Sequence, residues 1–193
     1  MTFPYLKDTL VIGVGHKARQ GKDVAAQWLV EQHGATRFAF SDALYNYCRI
    51  EHGMTTKDAP LLQRVGVAMR ERDPLIWVKA VYYQILDRKP KIAVITDVRF
   101  PNEFEFIQQV GGFTCKVSRY NEDGSPYIAD DRDPNHPSET ALDGWEWDHT
   151  IRATSGDIAH LHGEIAGVLR IAQYDRILDQ HIFAFEENAR AHA

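Results

Sequence analysis

Short apolar runs alternate with stretches of helical periodicity along most of the chain. Thr9–Val14 (TLVIGV) is apolar, β-branched and followed by glycine, the pattern of a strand buried on both faces. From Lys22 to His33, Val24, Ala25, Trp28 and Leu29 make one apolar face, which predicts a helix stopped at Gly34. Thr36–Phe40 (TRFAF) predicts a second strand, and Ser41 is placed to cap a helix with Ala43, Leu44 and Tyr47 inward. Helical spacing resumes over residues 57–87, carried by Leu61, Leu62, Val65 and Met69, then by Val78, Val81 and Ile85. Asp73-Pro74 interrupts it, because a proline biases the preceding residue away from helix. Lys91–Thr96 (KIAVIT) predicts a third strand, Asn102–Val110 a short helix closed by Gly111-Gly112, and Phe113–Val117 (FTCKV) a fourth strand. Asp148–Arg152 predicts a last short strand, and Ser155 or Asp157 caps a helix running towards Gln180. The tail from His181 to Ala193 is amphipathic enough to dock. Residues 119–137 break the pattern: Pro126, Pro134, Pro137, Gly124 and many acids predict an irregular excursion.

Strands alternating with helices predict an α/β fold, a parallel sheet covered by helices on both faces, in one domain over residues 1–193. Such sheets bind ligands beyond the carboxyl ends of their strands. That gathers the loops after Val14, Phe40, Thr96 and Val117 around one cleft.

Composition narrows the class. Of 193 residues, 44% are hydrophobic and 25% charged, ordinary for a globular protein that needs neither disulfide nor metal to fold. Cys48 and Cys115 lie far apart and away from metal-ligand spacing, so both read as buried apolar residues of a reducing compartment. With no signal core and no stretch long enough to span a bilayer, the expected location is the cytoplasm, with no membrane partner. A net charge of −5 argues against a nucleic-acid-binding face. It leaves room for an enzyme that needs a few cations in one cleft.

Residues 13–24 read G-V-G-H-K-A-R-Q-G-K-D-V. The phosphate-loop pattern G-x-x-x-x-G-K-[ST] requires a strand before it and a helix after it, and Gly21-Lys22 supply its end in that context. Backbone N–H groups of such a loop wrap phosphate oxygens, and the helix N-terminus adds its positive dipole end. The candidate binding set is Lys17, Ala18, Arg19, Gln20, Gly21, Lys22, Asp23 and Val24, with Lys22 bridging terminal phosphates and Lys17 and Arg19 adding charge. Two departures stand out: His16 occupies the first glycine position, and Asp23 replaces the hydroxyl residue that ordinarily binds Mg²⁺. A carboxylate there can also hold the ion, directly or through water. At the end of the third strand Asp97 stands where a carboxylate would orient Mg²⁺ or its water, and Arg99 follows it. The alternative is a structural network of Asp97, Arg99, Asn102 and Glu103 closing that loop.

Four segments together resemble a family. H-K-A-R-Q-G-K-D (16–23) resembles the loop of phage-type deoxynucleoside monophosphate kinases. R-E-R-D-P-L-I-W-V-K (70–79) is similar to that family's R-x-x-D-P-x-x-W, T-D-V-R-F-P-N-E (96–103) to its D-V-R-F-x-N-E, and H-P-S-E (136–139) to its H-x-S-E. Order and spacing agree from the loop to about residue 170, and the tail after Gln173 is not covered. The resemblance implies a P-loop NMP-kinase-like fold with a lid over residues 119–137, ATP and Mg²⁺, and a deoxynucleoside monophosphate as acceptor. In it, Lys22, Arg70, Arg99 and Arg119 carry catalysis, Asp23 and Asp97 manage the metal, and Arg70 grips the acceptor phosphate. Ser41, Trp77, Asp97, Arg99, Arg119 and Glu139 complete the substrate set, with Trp77 stacked on the base and Glu139 on the sugar or base edge.

Each assignment has a plainer counterpart: helix capping for Ser41 and Glu139, core packing for Trp77, an exposed helix arginine for Arg70. Arg132 is a second lid arginine that can equally pair with Asp130, Asp131 and Asp133. The loop Thr154-Ser155-Gly156 suits an adenine. Two rival functions stay open, a kinase of another phosphorylated metabolite (phosphomevalonate- or dephospho-coenzyme-A-kinase-like) and a nucleotide sensor without turnover. So does a homodimer. A phage origin, and with it the host cytoplasm, follows from the resemblance alone.

Overall fold

A computed structural model describes residues 2–131 and 133–191, with side chains described as far as His181. Arg132 therefore lies outside the described residues. Strands β1 (Leu10–Gly15), β2 (Thr36–Phe38), β3 (Ile92–Val98), β4 (Phe113–Tyr120) and β5 (His149–Thr154) pair in parallel, in the order β2-β3-β1-β4-β5. From β1 the chain runs to the β2 edge, returns to β3, then crosses to β4 and β5. The strand order thus reverses at β1, whose carboxyl end is the place where such sheets bind ligands.

Every residue of β1 is buried, as its unbroken apolar run requires. Alternate side chains serve two cores. Val11 joins the cluster beneath α2 (Phe40–Glu51), α3 (Ala59–Arg72), α4 (Ile76–Arg88) and α5 (Pro101–Gln109). Leu10, Ile12 and Val14 join the cluster beneath α1 (Lys22–His33) and α7 (Ile158–Ala191). Both cysteines are free and buried, one in each cluster.

Local chemistry sets the boundaries. Gly34 takes φ 64° and its N–H returns to the Leu29 and Val30 carbonyls, which ends α1 where the sequence places its stop. Asp73-Pro74 separates α3 from α4 as expected. Asp157 accepts the His160 N–H at 3.0 Å and starts α7. Gly15 has no alternative residue. A Cβ there would lie 2.4 Å from the Val98 carbonyl oxygen and 2.4 Å from the Trp147 ring.

Three expectations are corrected. Ser41 is not the cap of α2: the cap position is Ala39, with no side-chain hydrogen bond of its own. The acceptor comes from across the sheet, as described below. The last helix runs to Ala191 instead of stopping near Gln180. β4 continues to Tyr120, so the excursion begins two residues later, with a turn closed by Asn121 and Ser125 and a bridge from Tyr120 to Pro126. Within it, α6 (Pro137–Thr140) is a single turn whose N-cap, His136, accepts from the Ser138 N–H. No helix among the described residues is long and apolar enough to cross a membrane.

Candidate functional site

The loops at the carboxyl ends of β1, β3, β4 and β5 open on one cavity of about 1160 Å³. That exceeds the range of roughly 300–1000 Å³ typical for one small ligand. Of the residues singled out in the sequence, Ala18, Arg19, Gln20, Gly21, Lys22, Asp23, Val24, Ser41, Arg70, Trp77, Asp97, Arg99 and Arg119 all line it. Six elements, α1 to α4 with β3 and β4, and their loops converge to put them there.

The loop between β1 and α1 keeps its glycine-like path despite His16. That residue takes φ 82°, in the left-handed region that a non-glycine residue rarely enters. Two contacts hold it. Its N–H donates to the Val98 carbonyl at 3.0 Å, and its buried ring places Nε2 2.9 Å from Asp143 Oδ1. The carboxylate can only accept, so Nε2 carries the proton. Burial lowers the ring's pKa, only partly opposed by its Asp143 partner, which keeps the ring neutral. Asp143 also lies 3.4 Å from Lys17 Nζ. Arg19 (φ 55°) and Gly21 (φ 99°) complete the curl.

Lys22 stands first on α1 with its side chain 5% exposed, and its ammonium donates to the Lys17 carbonyl. Burial, reinforced by the nearby Arg99 charge, pulls its pKa down to about 8. An ammonium so desolvated is poised to gain from an incoming anion. Asp23 follows with its side chain exposed.

The end of β3 is built around two carboxylates. Asp97 accepts the Phe40 N–H at 2.8 Å on Oδ1 and the Ser41 N–H at 2.9 Å on Oδ2. It therefore caps α2 from a different strand. Glu103 is buried and accepts the N–H groups of Arg99 (2.8 Å) and Phe100 (3.0 Å). Burial pushes its pKa up to about 8, with the Asp97 charge adding to the rise. Asn102 donates to the Pro74 carbonyl at 2.7 Å, tying this loop to the α3–α4 break. Asn102 and Glu103 thus take the structural roles in closing this loop that were one of the two expectations for them.

Three arginines reach the cavity from separate elements. Arg70, in the last turn of α3, lies 5.1 Å above the Phe100 ring and makes no ion pair among the described residues. Arg119 stacks on Tyr127 at 4.1 Å and donates from Nε to Ser155 Oγ at 2.8 Å. Gln20 locks that region by accepting the Arg119 N–H at 2.5 Å and donating to the Tyr127 carbonyl at 3.2 Å. Arg99 donates from Nη1 to Glu139 Oε1 at 2.5 Å.

Glu139 is the residue whose place differs most from the sequence reading. That reading gives it to an acceptor sugar or base edge, or to a helix cap. Its carboxylate instead meets the loop between β1 and α1, where Oε2 accepts the Ala18 N–H at 2.7 Å. Trp77 is both a core residue and a wall of the cavity, and its Nε1 is buried without a hydrogen-bond partner. Sequence reasoning offered Asp131 only to Arg132 and missed its grip on Arg19 through both carboxylate oxygens at 2.5–3.0 Å; it missed Asp143 altogether. Neither left a local signal, since each meets its partner across more than 100 residues of chain. It also missed Arg37 and Lys57, cations on the α2–α3 side of the cavity.

A mimivirus protein described as a "Putative deoxynucleotide monophosphate kinase" (Acanthamoeba polyphaga mimivirus) is 28% identical over 171 residues, covering 69% of this chain and 82% of its own. The chain is a homologue of that viral protein. Among solved structures, one described as a "putative kinase" from Chloroflexus aurantiacus superposes with a TM-score of 0.53 at 13% identity. It covers 88% of this chain and 98% of its own, and it shows a shared fold. A gluconokinase from Sinorhizobium meliloti superposes at a TM-score of 0.47 and 15% identity, over 89% of this chain and 97% of its own, too loosely to add to that. No protein-family profile matches the chain.

Proposed function

We propose that the protein transfers the terminal phosphoryl group of ATP to the phosphate of a deoxynucleoside monophosphate, giving a diphosphate and ADP. The observation that carries this reading is one cavity in which a phosphate-type loop with its buried Lys22 faces arginines from three other elements. Phosphoryl transfer asks mainly for positioning and charge neutralisation, and this arrangement supplies both. The viral homologue's name supports the deoxynucleotide acceptor.

In this reading the loop amides and Lys22 hold the donor phosphates, and Arg70 grips the acceptor phosphate. Arg99 and Arg119 neutralise the group in transit. An acceptor phosphate oxygen forms the new bond to the terminal phosphorus as the bond to the bridging oxygen breaks, and ADP leaves with those electrons. The acceptor is already anionic near neutral pH, so no general base is required. Asp23, exposed at the start of α1, and Asp97 offer the oxygen donors that suit a hard cation sharing phosphate oxygens. Mg²⁺, if held there, would supply further neutralisation of phosphate charge. Residues 119–137 are the lid of this reading, which excludes water as a competing acceptor.

The deciding assay is ADP release from ATP and Mg²⁺ with each deoxynucleoside monophosphate in turn. Turnover with one or a few of them is expected. Nucleotide binding without turnover on any would overturn the acceptor assignment, leaving another phosphorylated acceptor or a sensor.

The depressed pKa of Lys22 gives a second expected result. In the nucleotide-free protein the ammonium loses its proton as pH rises through about 8. Bound phosphates favour the charged form and raise that pKa again. Nucleotide binding at pH 9 should therefore take up a proton, and affinity should weaken as pH climbs from 8. Calorimetric titration in buffers of different ionisation enthalpy measures that proton, and identical enthalpies in all of them would contradict it.

A further inference from the structure

Glu139 is a nearly dry carboxylate, 7% exposed, and besides a long contact from Ser138 Oγ at 3.4 Å it takes two donors from the site itself. One is the Ala18 N–H in the middle of the phosphate loop, at 2.7 Å; the other is Arg99 Nη1, at 2.5 Å. It is also close enough to Lys22 to favour that residue's charged form. A loop amide, an arginine and a buried lysine are the donor set a phosphate group wants, and a carboxylate is its nearest side-chain analogue in charge and acceptor geometry. The element that carries Glu139 is suited to letting go. α6 is a single turn whose N-cap is its own His136, hinged between the irregular chain before it and Leu142, which is anchored in the first core. Asp131 on Arg19, in the excursion before α6, and Asp143 on Lys17, just after α6, put further negative charge on the loop.

We propose that Glu139 is a resident competitor for the terminal phosphate of ATP: it occupies the Ala18 amide and Arg99 in the nucleotide-free protein and is displaced when ATP binds. This rests on the phosphate-site reading above and adds a regulation of that site. One set of donors cannot serve both anions, so displacement frees Arg99 for the transferring group when a donor with three phosphates is present. ADP, which lacks the terminal group, leaves Glu139 in place. Glu139 then acts as a positioning residue that makes the assembled site conditional on ATP.

The test compares ATP with ADP on the full chain by calorimetric titration. In Glu139→Gln, which keeps the size and one acceptor oxygen but removes the charge, ATP should bind about fivefold tighter or more, a modest coupling. ADP affinity should stay within about twofold of the parent. If both nucleotides weaken together, Glu139 is a strut for the loop and the proposal fails; unchanged ATP affinity also overturns it. A parent that binds neither nucleotide overturns the phosphate-site reading itself. Hydrogen exchange on the unmodified protein gives an answer that needs no variant. ATP, but not ADP, should speed exchange across residues 136–143, and unchanged or slower exchange with ATP would refute displacement.

Discussion

Lys22→Ala is expected to fold normally and to lose acceptor-dependent ADP release by roughly a hundred- to a thousandfold, the scale of losing one preorganised charge-stabilising donor. The two halves of that expectation come from the same geometry. The ammonium is buried on the first turn of α1, its hydrogen bond goes to a loop carbonyl, and desolvation is the largest influence on its pKa. Burying a cation with so little compensation costs stability, so its removal relieves the fold. The transferring phosphates are what would compensate it. Steady-state ADP release beside a thermal melt separates the two effects. A variant that melts at or above the parent temperature but has lost turnover is the expected pair, and retained turnover would remove Lys22 from the mechanism.

Asp97→Ala should be the most damaging carboxylate replacement in the cavity, destabilising the protein by roughly 3 kcal/mol through two charge-assisted bonds. Asp97 accepts from two successive amides at the start of α2, at 2.8 and 2.9 Å, and those donors have no other partner if the carboxylate goes. A carboxylate kept only to orient a metal would behave in the opposite way, since removing a half-buried charge that has no donors of its own relieves its desolvation. Urea denaturation gives the sign directly. A stability gain would return Asp97 to the metal alone. The loss predicted by capping should come with a raised KM for the acceptor, because α2 carries Ser41 and lines that side of the cavity.

The sheet and helices were legible because burial on both faces leaves β1 an unbroken apolar run and β3 one as far as Ile95, and Gly34 and Asp73-Pro74 punctuate the helices with their own backbone chemistry. The loop was legible because strand, Gly21-Lys22 and helix are contiguous. What could not be read was any pairing across the sheet. Nothing near Ser41 shows that its helix is capped by Asp97, and nothing near Ala18 shows that Glu139 reaches it. His16 illustrates the same limit at a single residue. Its φ of 82° is tolerable because Asp143 and the Val98 carbonyl hold it, and both come from distant segments.

The two cores lie back to back across one sheet, with α2 to α5 on one side and α1 and α7 on the other. Changes that reshape the pocket wall from α2 and α3 are absorbed in the first core, while the helix that carries Lys22 is seated in the second. On the proposed function, such a layout would let the choice of acceptor change on one side of the sheet while the loop that carries Lys22 stays fixed on the other. On that reading, work on acceptor preference begins on the cavity wall formed by α2 and α3 and leaves α1 untouched.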